Sequence, residues 1–121
     1  MTEDDLALLR EAEEVRIETS RHTGAPSRRT IIWVVVDDRD RVLVRSVRAE
    51  RGRWYRDLLA NPAGVLHLDG RALGVRAEQV TDGERIEACS TALSRKYADD
   101  PALPSMLRAD TLPTTLQLHD A

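Results

Sequence analysis

The chain has 121 residues and a mass of 13.6 kDa, with 41% hydrophobic residues, 32% charged residues and a net charge of −3. That composition excludes a disordered chain, no apolar run approaches the ~20 residues of a membrane-spanning helix, and a lone cysteine, Cys89, excludes an internal disulfide or a thiolate metal cluster. The length predicts one domain over residues 1–121, and the acidic opening Thr2-Glu3-Asp4-Asp5, where a secretion signal has a basic region, predicts a cytoplasmic protein.

Thr2 is placed to cap a short amphipathic helix that has acids in its first turn and runs to about Glu13. Val15, Ile17 and Thr19 then alternate with Arg16, Glu18 and Ser20, the pattern of a half-buried strand. His22 to Pro26 is a loop. Ile31 to Val36 is a β-branched run with Trp33 inside it, suited to a buried strand, and Asp37 to Asp40 is a polar turn leading into a second strand, Arg41 to Val47. Gly52 to Ala60 reads as a helix that begins inside an arginine-rich loop and stops at Asn61-Pro62. A strand over 64–68, the turn pair Asp69-Gly70 and a returning strand over 71–80 make a hairpin. Thr81 and Glu84 have the spacing of a capping box for a helix running to about Tyr97. A helical turn over 103–108 and a last strand over 114–119 follow. Six strands joined mostly by hairpins, with three or four short helices, predict a mainly β fold: a small barrel with helical attachments.

Charge singles out residues 28–56. Nine arginines (28, 29, 39, 41, 45, 48, 51, 53 and 56) face only Asp37, Asp38, Asp40, Glu50 and, just beyond, Asp57. An acidic chain that gathers its cations in one place has an anion to hold, and the guanidinium fork suits phosphate or carboxylate. Nucleic acid is excluded as a partner by the negative total charge and by the scarcity of stacking rings, with two Trp, two Tyr and no Phe. Arg45 alternates with Leu43 and Val47, so it needs an anionic partner, either a ligand or an acid such as Asp57 or Glu78. Cys89 shares a helix side with Ile86 and Leu93 and reads as core. His22, His67 and His119 lack metal-ligand spacing, so no metal is expected. Tyr55 and Tyr97 have no sequence neighbour that tunes them as proton donors, and no catalytic residue is assigned.

From Gly24 onward these features fall in a familiar order. A Gly-x-Pro loop precedes Arg29-Thr30, which leads into Ile32-Trp33-Val34-Val35. An acidic turn, Val44-Arg45-Ser46, a glycine–arginine loop, Trp54-Tyr55-Arg56 and Asn61-Pro62 follow. Residues 15–80 in this order resemble the flavin and deazaflavin split β-barrel proteins, the group around pyridoxamine-phosphate oxidase and the deazaflavin-dependent nitroreductases. The resemblance implies a six-stranded antiparallel split β-barrel that forms a homodimer, with a cofactor in the groove between subunits. The cofactor would be deazaflavin coenzyme F-420 or FMN. The activity implied is hydride transfer to a small organic acceptor, the alternative being a non-catalytic carrier of deazaflavin, FMN or haem. Carried over by position, Arg29, Thr30, Ile32 and Trp33 lie on the strand facing the ring, Arg45 and Ser46 match a cation and a hydroxyl that meet phosphate, and Arg53 and Trp54 match the helix start that closes over it. The chain departs from the deazaflavin enzymes in having only arginine where their loop carries lysine, and in the shortness of loop 48–53.

Overall fold

The segment from Ser27 to Val36 forms both edges of the sheet. In the computed structural model, which describes residues 1–121, seven strands are β1 (Val15–Ser20), β2 (Ser27–Ile32), β3 (Val35–Val36), β4 (Val42–Val44), β5 (Ala63–Leu68), β6 (Arg71–Gln79) and β7 (Leu116–Asp120). Their order is β2-β1-β5-β6-β7-β4-β3, with every pairing antiparallel. β2 and β3 are separated only by Trp33 and Val34 yet lie at opposite ends of that order. The sheet therefore curls until its edges meet along one bent strand. Six strands were expected, and the seventh arises from this bend.

The bend leaves the Val34 carbonyl outside the ladder, and a buried carbonyl needs a donor. Lys96, the only lysine of the chain, donates its Nζ to Val34 O at 2.7 Å and to Leu9 O at 2.9 Å. The Tyr97 hydroxyl donates to Glu13 O at 2.7 Å and approaches Val34 O at 3.4 Å. Burial lowers the Lys96 ammonium to about 8.

The helices are α1 (Glu3–Glu11), α2 (Arg53–Ala60), α3 (Gly83–Lys96) and α4 (Leu103–Met106). α1 starts where expected, with a reciprocal capping box between Thr2 and Asp5. α3 does not start on Thr81. Asp82 is its cap, accepting from the Arg85 N–H at 3.0 Å, while Glu84, which the expected box required, takes a bidentate pair from Arg41 at 2.8 and 2.6 Å. The cap thus falls one residue later than expected, and the glutamate of the expected box is engaged by Arg41 from another element. The β5–β6 turn follows expectation: Leu68 pairs with Arg71, and Asp69 (φ 47°) and Gly70 (φ 73°) both lie in the left-handed region.

Two apolar clusters explain why the run from Ile32 to Val36 does not alternate. The inside of the curled sheet packs 15 buried residues, among them Ile17, Val34, Val42, Val44, Leu66, Val75 and Leu116, closed by Leu9 of α1 and Trp54, Tyr55 and Leu58 of α2. A second cluster of seven lies on the outside of β3 and β4, where Val35 and Leu43 meet Cys89 and Leu93 of α3 and Tyr97 at its carboxyl end, together with Val80 and Met106. β3 and β4 are thus buried on both faces, and a strand so placed reads as a continuous hydrophobic run. Cys89 is fully buried and its thiol is pushed up to about 11 by desolvation, as befits a core residue.

On the outer side of β6, Glu78 accepts from Arg85 at 2.8 and 3.0 Å and from His119 at 2.8 Å, and these bonds hold its carboxyl at about 2 rather than 4.5. A depressed acid stabilises the folded state above its unfolded value and loses that contribution as pH falls through the folded one. Glu78→Gln is therefore expected to leave stability at pH 7 lower and to flatten the decline between pH 4.5 and 2. Urea midpoints measured across that range check this; parallel curves for both proteins would contradict it.

Candidate functional site

Beside the bend, Ile31, Ile32, Trp33, Arg45, Val47, Trp54, Ala102, Met106 and Glu14 line a mainly apolar cleft of about 210 Å³. Four of the eight residues expected at a cofactor meet there: Ile32, Trp33, Arg45 and Trp54. Trp33 comes from the kink between β2 and β3, and Trp54 from the first turn of α2. One face of Trp33 lies flat on Tyr97, with ring centroids 3.9 Å apart and planes 7° from parallel. Tyr97 is itself fixed by its hydroxyl bond to Glu13 O, and Lys96 Nζ sits 5.3 Å from its ring centre. Trp33 is thus a half-exposed ring with a buried, hydrogen-bonded ring behind it. Such a backed ring is pre-organised to stack on a planar ligand.

Next to the cleft lies the amino end of α2. Its cap, Gly52, offers no side-chain acceptor, so the first N–H groups of the helix have no side-chain partner. Ser46 Oγ is buried there and makes no hydrogen bond. A Cβ on Gly52 would lie 2.1 Å from that oxygen and 3.4 Å from Ala49 O. Gly52 has an ordinary φ of −60°, so the requirement is space alone. Gly52→Ala is expected to cost about 1–3 kcal/mol through this crowding, read as a lowered melting temperature. An unchanged melting temperature would mean that Ser46 rotates away freely.

Arg48, Arg51, Arg53 and Arg56 surround this helix start, all exposed and none in an ion pair. Glu50 is the one acid among them. Unpaired cations around free amide groups form an environment suited to an anion.

The other expected residues sit differently. Arg29 is exposed on the outer face of β2 and pairs with Glu18 at 3.3 Å, and Glu18 also contacts His67 Nε2 at 2.7 Å. Thr30 faces the opposite way, half-buried across from Ile17. Neither lines the cleft. Arg45 is 1% exposed, and its partners are neutral: Nε donates to Thr115 Oγ1 at 3.0 Å, Nη1 to Ser90 Oγ at 2.9 Å and Met106 O at 3.2 Å, and Nη2 to Ile86 O at 3.0 Å. The acids proposed for it are engaged elsewhere. Asp57 accepts from Thr19 at 2.9 Å and Arg28 at 3.3 Å, and Glu78 belongs to Arg85. Burial lowers the Arg45 pKa from its ordinary value.

Sequence reasoning missed Tyr97 as the backing ring and Met106 as a wall. Both come from segments far along the chain, and no local pattern marks them. A larger groove of about 660 Å³ between β3–β4 and α3 is polar, and its Arg41 and Arg95 are paired with Asp37, Glu84 and Asp38. No cluster of His, Cys, Asp or Glu is arranged to hold a metal ion, and no helix is long and apolar enough to cross a membrane.

The curled antiparallel sheet with flanking helices is the fold of the split-barrel-like proteins. The profile of the bacterial family DUF2255, described as "Uncharacterized protein conserved in bacteria", matches residues 5–118, and the chain belongs to that family. No curated protein matches it in sequence. Among solved structures, an F-420-H2 dependent reductase (FDR-A) superposes with a TM-score of 0.68 at 15% identity, over 88% of this chain and 94% of that one. HutZ, described as the heme storage protein from Vibrio cholerae, gives 0.65 at 12% identity over 98% and 89%. The protein Atu2129 of unknown function from Agrobacterium tumefaciens gives 0.69 at 13% identity over 97% of this chain and 53% of its own. The chain thus spans about half the length of the Agrobacterium protein. At these identities the likeness is one of fold.

Proposed function

We propose that the chain binds a flavin-type cofactor, deazaflavin coenzyme F-420 or FMN, and serves as a reductase of small organic acceptors. The observation that carries this reading is the backed Trp33 ring bordering a cleft that Trp54 shares with the uncapped start of α2. A planar ring and a phosphate have to be held side by side in such a cofactor, and the two features adjoin here through Trp54 and the Ser46–Val47 step. Ile32, Trp33 and Trp54 would hold the ring. The amino end of α2 with Ser46 and Arg53 would hold the phosphate, satisfying the hydroxyl that otherwise stands unpaired. When bound, the cofactor supplies the hydride chemistry, and the chain supplies orientation, charge and exclusion of water.

A cleft of about 210 Å³ is smaller than the ~300–1,000 Å³ usual for such ligands. Ile31 and Val47, which border it, are 53% and 44% exposed. A homodimer across this face would cover both and complete the enclosure. The fold shared with a heme storage protein supports a second reading, a cofactor carrier without turnover.

The test is turnover of a panel of quinones, nitroaromatics and enones by the protein with reduced deazaflavin or reduced FMN. Acceptor-dependent oxidation of the cofactor above the protein-free rate supports the reductase. Tight binding with no acceleration on any member supports the carrier instead.

A further inference from the structure

Arg45 is a buried cation with no carboxylate within ion-pairing distance. The four acceptors on its guanidinium are all neutral. They account for the Nε hydrogen, both hydrogens on Nη1 and one on Nη2, which leaves one N–H of the five unassigned. Cys89, which is buried in the neighbouring apolar cluster, remains a neutral thiol. Glu14, the only acid lining the same cleft, is exposed and makes no pair with Arg45. A cation stripped of water without a counter-ion is costly, and at low dielectric its field acts over several ångströms even without direct contact. Arg45 lines an aromatic cleft just large enough for a one- or two-ring ligand.

We propose that Arg45 makes the Trp33–Trp54 cleft selective for an anionic aromatic ring system, so that an aromatic acid is bound in preference to its neutral isostere. The inference takes the cleft to be the ligand site, as the functional reading does, and adds the charge of what enters it. A ligand ring bearing an ionised carboxylate, enolate or lactam would supply the missing counter-charge. Arg48, Arg51, Arg53 and Arg56 lie outside the cleft lining and face solvent, so their attraction is screened by salt far more than that of buried Arg45.

The experiment uses the intact protein in 0.3 M salt. 1-Naphthoate and 1-naphthamide are titrated separately, followed by the emission of Trp33 and Trp54. The amide matches the acid in size and lacks the charge. The acid is expected to bind at least about tenfold more tightly, and this preference is expected to vanish in Arg45→Met, with far-UV circular dichroism confirming that the variant is folded. Equal affinity for acid and amide, or no binding of either, overturns the proposal on the unaltered protein alone, whether or not the variant folds. FMN is added in competition. If FMN binds while acid and amide are not distinguished, the cofactor reading stands and this inference falls. If the acid is preferred but FMN neither binds nor displaces it, charge selection stands and the cofactor reading falls.

Discussion

Arg45→Ala is expected to destabilise the protein by about 3 kcal/mol or more, the largest stability effect of any single change to the site. The guanidinium joins four elements. It leaves β4 and reaches Ile86 and Ser90 on α3, Met106 at the end of α4 and Thr115 at the entry to β7. Hydrogen bonds from a charged donor contribute about 1.5–3 kcal/mol each in favourable cases, and the desolvation of the cation offsets a large share of that sum. Truncation to alanine also opens a void beneath the second apolar cluster. Arg45→Met fills most of that volume and removes the buried charge, so it is expected to recover a good part of the loss. Urea unfolding of the three proteins measures both values. An alanine variant within 1 kcal/mol of the parent would show that α3, α4 and β7 hold together without this side chain.

Trp33→Leu is expected to weaken binding of FMN or deazaflavin by at least about tenfold, the size of one lost stacking contact, while lowering stability by only about 1 kcal/mol. Trp33 is half-exposed and packs only on the edge of the second apolar cluster, over Tyr97, while the first cluster holds Val34 and Ile32 on either side of it. Leucine keeps apolar contact with Tyr97 but offers no ring face. The outcome is read from cofactor absorbance in equilibrium dialysis, since tryptophan emission is itself altered by the substitution. An unchanged dissociation constant would remove Trp33 as a platform and leave Trp54 to carry the ring alone.

The local parts of the fold were legible because local physics decides them. Alternation at Val15, Ile17 and Thr19, the Asp69-Gly70 turn and the Thr2 cap each depend on neighbours within a few residues. The bend was not legible in the same way. Nothing between Ile32 and Val35 signals that the strand leaves one edge of the sheet and joins the other. The Val34 carbonyl freed at the bend is held by Lys96, sixty-two positions away. Arg45 shows the same limit: the sequence places an arginine on an apolar face and demands an anion, whereas folding answers with neutral acceptors drawn from three later elements. Of the residues expected at the ring from their order along the chain, Ile32, Trp33 and Trp54 line the cleft, but the ring behind Trp33 and the space kept open by Gly52 against Ser46 exist only in three dimensions. Arg29 and Thr30 lie on the same strand as Ile31 and Ile32 but outside the cleft lining, where Arg29 pairs with Glu18 and Thr30 lies across from Ile17, partners that only the β1–β2 register reveals.

A titration of the purified protein with FMN and, separately, with deazaflavin coenzyme F-420 tests the cleft most directly, followed by the emission of Trp33 and Trp54 together with that of the cofactor. The expected result is saturable quenching at micromolar or lower concentration for one of the two, with the affinity read from the cofactor's own emission weakened in Trp33→Leu and in Gly52→Ala. Linear, non-saturating quenching by both cofactors, unaffected by either substitution, would contradict a cofactor site at the bend.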